Sequence, residues 1–167
     1  MLLMSLLRRR LRLPGPQRTI VGQWQRALLL RQSKLRDRIV DGVSPSAWDR
    51  DAVAVVQATF EIAVPRYFRP PPDEHELTGW VAELRDAFGQ QQTPDDSDMA
   101  ALIRVTLGES NGAIDHIDTE TRLNIYVFVL WMITKKLDMS EPAIDDLILE
   151  GERAAFQRGW KPALADR

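Results

Sequence analysis

The sequence contains no cysteine, and that excludes disulfide frameworks, thiolate nucleophiles and cysteine-ligated zinc or iron–sulfur sites. It has only two histidines, His75 and His116, and nine scattered glycines. No glycine cluster forms a Walker or dinucleotide-binding pattern, so no phosphate-cradling loop is expected. Long apolar runs are also missing. Past the first residues the longest runs from residue 125 to residue 133, far short of the roughly 20 residues that span a bilayer as a helix. The apolar stretch at residues 1–7 precedes Arg8, Arg9, Arg10 and Arg12 instead of following them, the reverse of a secretory signal. These absences lead to the expectation of a cytoplasmic protein, with peripheral membrane association as the alternative. Lysine is scarce beside arginine, 4 against 18. That imbalance is associated with GC-rich bacterial genomes, an association and not a physical inference.

What the chain does have is ordinary for a folded protein: 44% hydrophobic and 28% charged residues over 167 positions, enough for one domain with its own core. Its net charge of −2 hides a strong polarity. Residues 1–40 hold nine arginines and Lys34 against Asp37 alone, net +9; residues 41–167 hold 12 basic and 23 acidic groups, net −11. An arm this basic is expected to meet an acidic protein surface or another polyanion.

The helical period recurs along the chain and strand signals do not. The pattern predicts an all-α protein: a single bundle of about five main helices, with a basic arm and Pro-Gly-Pro linker at 1–16 and one helical domain at 17–167. A first long helix is expected over residues 18–41, with Val21, Trp24, Leu28 and Leu35 on a heptad-like seam that Arg31 and Arg38 interrupt. Ser46 is read as the cap of a second helix that ends or kinks at Pro65. A third begins at Asp73 and Glu74 and stops at Gly89. A fourth starts with Thr93 as cap and Pro94 at its first position, and stops at Gly108. Asp118 caps a fifth, in which Asn124 is the only polar residue between Leu123 and Ile133; this segment is expected to be the central helix. The last opens at Ser140-Glu141-Pro142 and ends at Gly159, with Trp160 folding back. Val56, Phe60, Trp80, Leu84, Leu102, Val127 and Trp131 are expected in the core.

No constellation in the sequence points to catalysis, a cofactor or a metal. His116 lies among Asp115, Asp118 and Glu120, but the spacing is poor for ligation and Asp118 is better explained as a helix cap. The aspartates at 95, 96 and 98 lack the glycine that a calcium loop needs at its sixth position. The candidate interaction residues are instead Arg8, Arg9, Arg10, Arg12, Trp24, Arg31 and Arg38. The function these favour is a non-enzymatic bacterial interaction or regulatory module that assembles with a protein partner or itself through its N-terminal region. A second reading is a polyanion-binding protein that uses the arm on nucleic acid or an anionic membrane; an enzyme of unrecognised type is the third. Trp48 and Trp160 are read as packing staples or interface anchors.

Overall fold

The computed structural model describes residues 13–89, 93–109 and 114–166. The arm arginines Arg8, Arg9, Arg10 and Arg12 therefore lie outside the described residues. The described chain is all-helical, with seven α-helices: α1 (Ile20–Leu29), α2 (Ser33–Gly42), α3 (Arg50–Tyr67), α4 (Glu74–Phe88), α5 (Asp96–Thr106), α6 (Thr119–Lys136) and α7 (Glu141–Gln157). One 3-10 turn covers Pro45–Ala47. No described helix is long and apolar enough to cross a membrane.

Most helix ends follow from local chemistry. Asp73 and Glu76 close a reciprocal capping box on α4. Asp118 caps α6 and Ser140 caps α7, each side chain accepting from a backbone N–H of the first turn. Gly89, Gly108 and Gly159 all sit at positive φ just past their helices, where a side chain would be strained. The backbone does turn back at Trp160, whose main-chain N–H donates to the carbonyl of Ala155 at 3.1 Å.

Three boundaries differ from the sequence reading. The expected helix over residues 18–41 is two helices. Leu30 ends α1, the Arg31 N–H bonds the Leu28 carbonyl, and the Gln32 N–H bonds the Ala27 carbonyl. This is a Schellman turn, with Arg31 at φ 58° in the position glycine usually takes. Arg31 thus lies in neither helix, and no seam runs through it to Arg38. The cap of α3 is Asp49, not Ser46, and the helix runs through Pro65 to Tyr67 before Phe68 leaves it. Likewise Asp95, not Thr93, caps α5.

The centre of the fold is α3. It packs on α7, α6, α1 and α5. It buries Val55, Val56, Phe60 and Val64 together with four alanines, Ala52, Ala54, Ala58 and Ala63. The expected centre, α6, also meets four helices, but it is not wrapped. Ile125, Val129, Leu130 and Ile133 are buried. Leu123, Val127, Phe128 and Trp131, on one side of the helix, stay half-buried. Val127 and Trp131 are therefore partly exposed, whereas Val56, Phe60, Trp80, Leu84 and Leu102 are in the core as expected.

Buried polar contacts fix α1 to α7. Glu152, 1% exposed, places its carboxylate at the N-terminus of α1. Its Oε1 accepts from the Thr19 N–H at 2.8 Å and the Thr19 hydroxyl at 2.6 Å, and its Oε2 accepts from the Arg18 N–H at 3.0 Å. The first turn of α1 contains no acid of its own, so α7 supplies the negative charge that the helix dipole favours. Arg26, buried in α1, donates through Nε to Asp145 at 2.7 Å and pairs with Glu141. The Pro14-Gly15-Pro16 stretch is tied down as well: the Gln23 amide donates to the carbonyls of Gly15 and Gln17 at 2.7 and 2.9 Å. The C-terminal tail closes over the same place, with Ile20 and Ala163, and Ala165 and Arg18, joined by backbone hydrogen bonds of 2.9 Å.

Candidate functional site

The half-exposed side of α6 and the α1–α2 pair together frame two grooves. The larger, of about 380 Å³, lies where the chain turns from α1 to α2. Its walls are Ala27 and Leu28 of α1, Phe88 at the end of α4, and Val127, Phe128 and Trp131 of α6, with Arg31, Ser33 and Arg36 along the rim. The aromatic rings support one another. Phe88 stands edge-on to Phe128 with centroids 4.5 Å apart and to Trp131 at 4.3 Å. Two cations bracket the indole of Trp131: the Arg31 guanidinium and the Lys135 ammonium each lie 4.9 Å from its ring centroid. The result is an apolar floor with a cationic edge.

The second groove, of about 260 Å³, lies between α1, α2, α3 and α6. Its described lining is wholly apolar and includes Trp24, Val40, Trp48, Val53 and Leu123. Trp24 and Trp48 meet edge to face at 5.8 Å. Val40 is 45% exposed at the rim, although it is a large hydrophobic side chain.

The structure thus divides the residues that the sequence singled out. Arg31 belongs to the first groove and Trp24 to the second. Arg38 is exposed on α2, its Nε 3.4 Å from the Lys34 carbonyl, and lines neither groove. Trp48 lines the second groove, and Trp160 is half-buried beneath the Arg50 guanidinium, 5.2 Å from its ring. Phe88 and Phe128 read as core in the sequence, because they sit at apolar positions of helical segments. Only the tertiary packing reveals that they wall a groove.

The acidic positions nearest to a chemical constellation, Asp95 and Asp118, are committed to helix ends. Asp118 accepts from the Thr121 N–H at 2.9 Å and its hydroxyl at 2.8 Å, and these bonds hold its carboxyl below the ordinary aspartate range. Asp95 is lowered in the same way, first by the Ser97 hydroxyl and then by the Ser97 N–H. His116 reaches Asp98 at 2.8 Å and is otherwise exposed. Among the described residues no three His, Asp or Glu side chains are grouped so as to hold a metal ion.

The two lowered carboxyls give a pH dependence with a definite sign. A group whose pKa is depressed by folding stabilises the fold above its unfolded value, and that contribution is lost as the pH falls through the folded value. Asparagine caps a helix about as well as aspartate but does not titrate here. The double variant Asp95→Asn/Asp118→Asn is therefore expected to lose less stability than the wild type from about pH 4 downward. Urea midpoints measured across this range check it, and parallel curves would show that the caps do not titrate with folding.

No family model matches the sequence, and neither a curated protein nor a solved structure resembles it significantly.

Proposed function

We propose that this protein is a non-enzymatic helical interaction module that binds a protein partner through its N-terminal region, at the groove beside the α1–α2 turn. The observation that carries this reading is the aromatic floor of Phe88, Phe128 and Trp131, half-exposed and edged by Arg31 and Arg36. Partly exposed aromatic residues with arginine at their border have the composition of an interface hot spot. The segment they fit is one that combines leucine-like side chains with carboxylates. A second copy of this chain meets the charge requirement, with net −11 over residues 41–167.

Arg31 adds a second support. A non-glycine residue at φ 58° costs about 1 kcal/mol relative to glycine, so the side chain at this position offsets a backbone penalty. Its guanidinium lies over Trp131, at the mouth of the groove.

The test places a photo-cross-linking amino acid at Phe128 in the producing cell and maps the captured peptides. Acidic, apolar protein segments are expected. Adding Arg31→Gly and Arg36→Glu should reduce capture roughly tenfold, because rim charges steer association. Arg153→Glu, on the exposed side of α7, should leave it unchanged. Absence of protein adducts, or adducts that persist through the Arg31 and Arg36 changes, would overturn the proposal.

A further inference from the structure

We infer that the segment received beside the α1–α2 turn is an amphipathic helix that lies along α6 and seats a carboxylate between Arg31 and Lys135. This rests on the partner groove proposed above and names the form and register of what fills it.

A second recess continues that groove. It has a volume of about 280 Å³ and shares Arg31 and Trp131 with the first, so the two meet at the indole. Its lining turns polar where the first is aromatic: beyond Leu29 and Leu30 come Thr134, Lys135 and Asp138. Arg31 and Asp138 are the two non-glycine residues at positive φ among the described residues, at 58° and 46°. Asp138 repeats after α6 the turn that Arg31 makes after α1, with the Met139 N–H bonded to the Thr134 carbonyl at 3.0 Å. Both helix stops thus place a charged residue on one recess, and backbone of this kind clusters at ligand sites.

Charge sets what the recess takes. The Arg31 guanidinium and the Lys135 ammonium each lie 4.9 Å from the Trp131 ring centroid, hence no more than twice that distance apart. Both residues are exposed. Every Asp and Glu of the chain is among the described residues, yet none forms an ion pair with either cation. A carboxylate brought from outside finds two charge partners there. Asp138, further along the recess, repels a second acid and so confines the carboxylate to the side of Trp131.

Geometry sets the form of the segment. The groove is walled by side chains of α1, α4 and α6, and the described residues form no sheet, so an extended segment would find no strand edge for its backbone. A helix bonds its own backbone and presents only side chains. Along α6 the floor residue Phe128 and the cation Lys135 are seven positions apart, two turns or about 11 Å, with Trp131 between them. A helix running alongside therefore meets the floor with apolar side chains three or four positions apart, and meets Lys135 with an acid about seven positions from the first of them.

A displayed library of helical peptides of about 16 residues, roughly four turns, with one face randomised and panned on the full chain, tests this. Selected peptides are expected to carry Leu, Met or Phe three or four positions apart, with Asp or Glu about seven positions from the first. Replacing that acid by lysine in a selected peptide should weaken binding roughly tenfold. In the charge-swapped variant Arg31→Glu/Lys135→Glu, with helix content unchanged by circular dichroism, the lysine peptide should bind the tighter of the two. Selected peptides that lack the acid, or an acid preference that survives the swap, would overturn the inference and leave the groove reading standing. An empty selection would overturn it too, while capture at Phe128 still decides the groove. Peptides that bind Phe128→Ala as tightly as the wild type would lie outside the groove and overturn both.

Discussion

Glu152→Ala is expected to cost about 2–6 kcal/mol, the sum for two buried donors left unsatisfied and a large fraction of the stability of a typical domain. The carboxylate accepts three hydrogen bonds from Thr19 and Arg18 at 2.6–3.0 Å in a site that is 1% exposed. Alanine removes the acceptor and leaves the N–H and hydroxyl of Thr19 buried, each with its own desolvation penalty of about 1–3 kcal/mol. It also takes the negative charge from the N-terminus of α1. The fold makes room for this group. A Cβ at Gly22 would lie 2.4 Å from Oε1, so only a glycine there lets the carboxylate come so close. Glu152→Gln keeps the shape and one acceptor oxygen but turns an amide N–H₂ toward the same donors. It should cost about 1–3 kcal/mol, the range for a hydrogen bond to a charged group. Guanidinium titrations of the two variants check this order. Wild-type midpoints for both would mean that the carboxylate does not hold α1 in place.

Nothing in the sequence marks Glu152 out from the other 23 acidic residues, because its role depends on a partner more than 130 positions away. Local signals read better. The capping residues Asp73, Asp118 and Ser140 and the stop glycines Gly89, Gly108 and Gly159 were legible because capping chemistry involves only a few neighbouring residues. The turn at Arg31 was not, since it uses the geometry of a glycine stop without the glycine. The centrality of α3 was hidden for a different reason. Much of its buried surface is alanine, which carries little hydropathy but permits close helix approach. By contrast α6 is apolar nearly all round, and the sequence reading placed it at the centre. One side of it is core and the other is groove wall, so its excess hydrophobicity does not by itself mark a wrapped central helix. Trp24 and Arg31 were expected on one heptad-like seam, and that seam does not exist. The break at Arg31 puts them on separate surfaces.

The close approach of α3 to α7 sets the second large effect. A Cβ built on Gly151 would lie 2.1 Å from the Thr59 hydroxyl oxygen and 3.0 Å from both the Thr59 Cβ and its backbone nitrogen. The hydroxyl is held by the Val55 carbonyl at 2.9 Å, and the nitrogen belongs to the buried central helix, so neither yields cheaply. Gly151→Leu must push the helices apart, and the expected cost is at least the roughly 1–3 kcal/mol typical of overpacking. The better helix propensity of leucine recovers less than about 1 kcal/mol of it. Gly79, in the middle of α4, has nothing within 4 Å of its would-be Cβ. Gly79→Ala should therefore move stability the other way, by about 0.5–1 kcal/mol. Thr59→Ala takes away the nearest atom, so Gly151→Ala should cost less in that background than in the wild type, with a coupling of about 1 kcal/mol or more for residues in direct contact. Thermal or denaturant unfolding of this set reads the geometry at one contact. If the two glycine substitutions change stability in the same direction, or the double variant is simply additive, then α3 and α7 are not packed as closely as Gly151 and Thr59 require. In that case the placement of α1 by Glu152, one residue further along α7, would lose its footing as well.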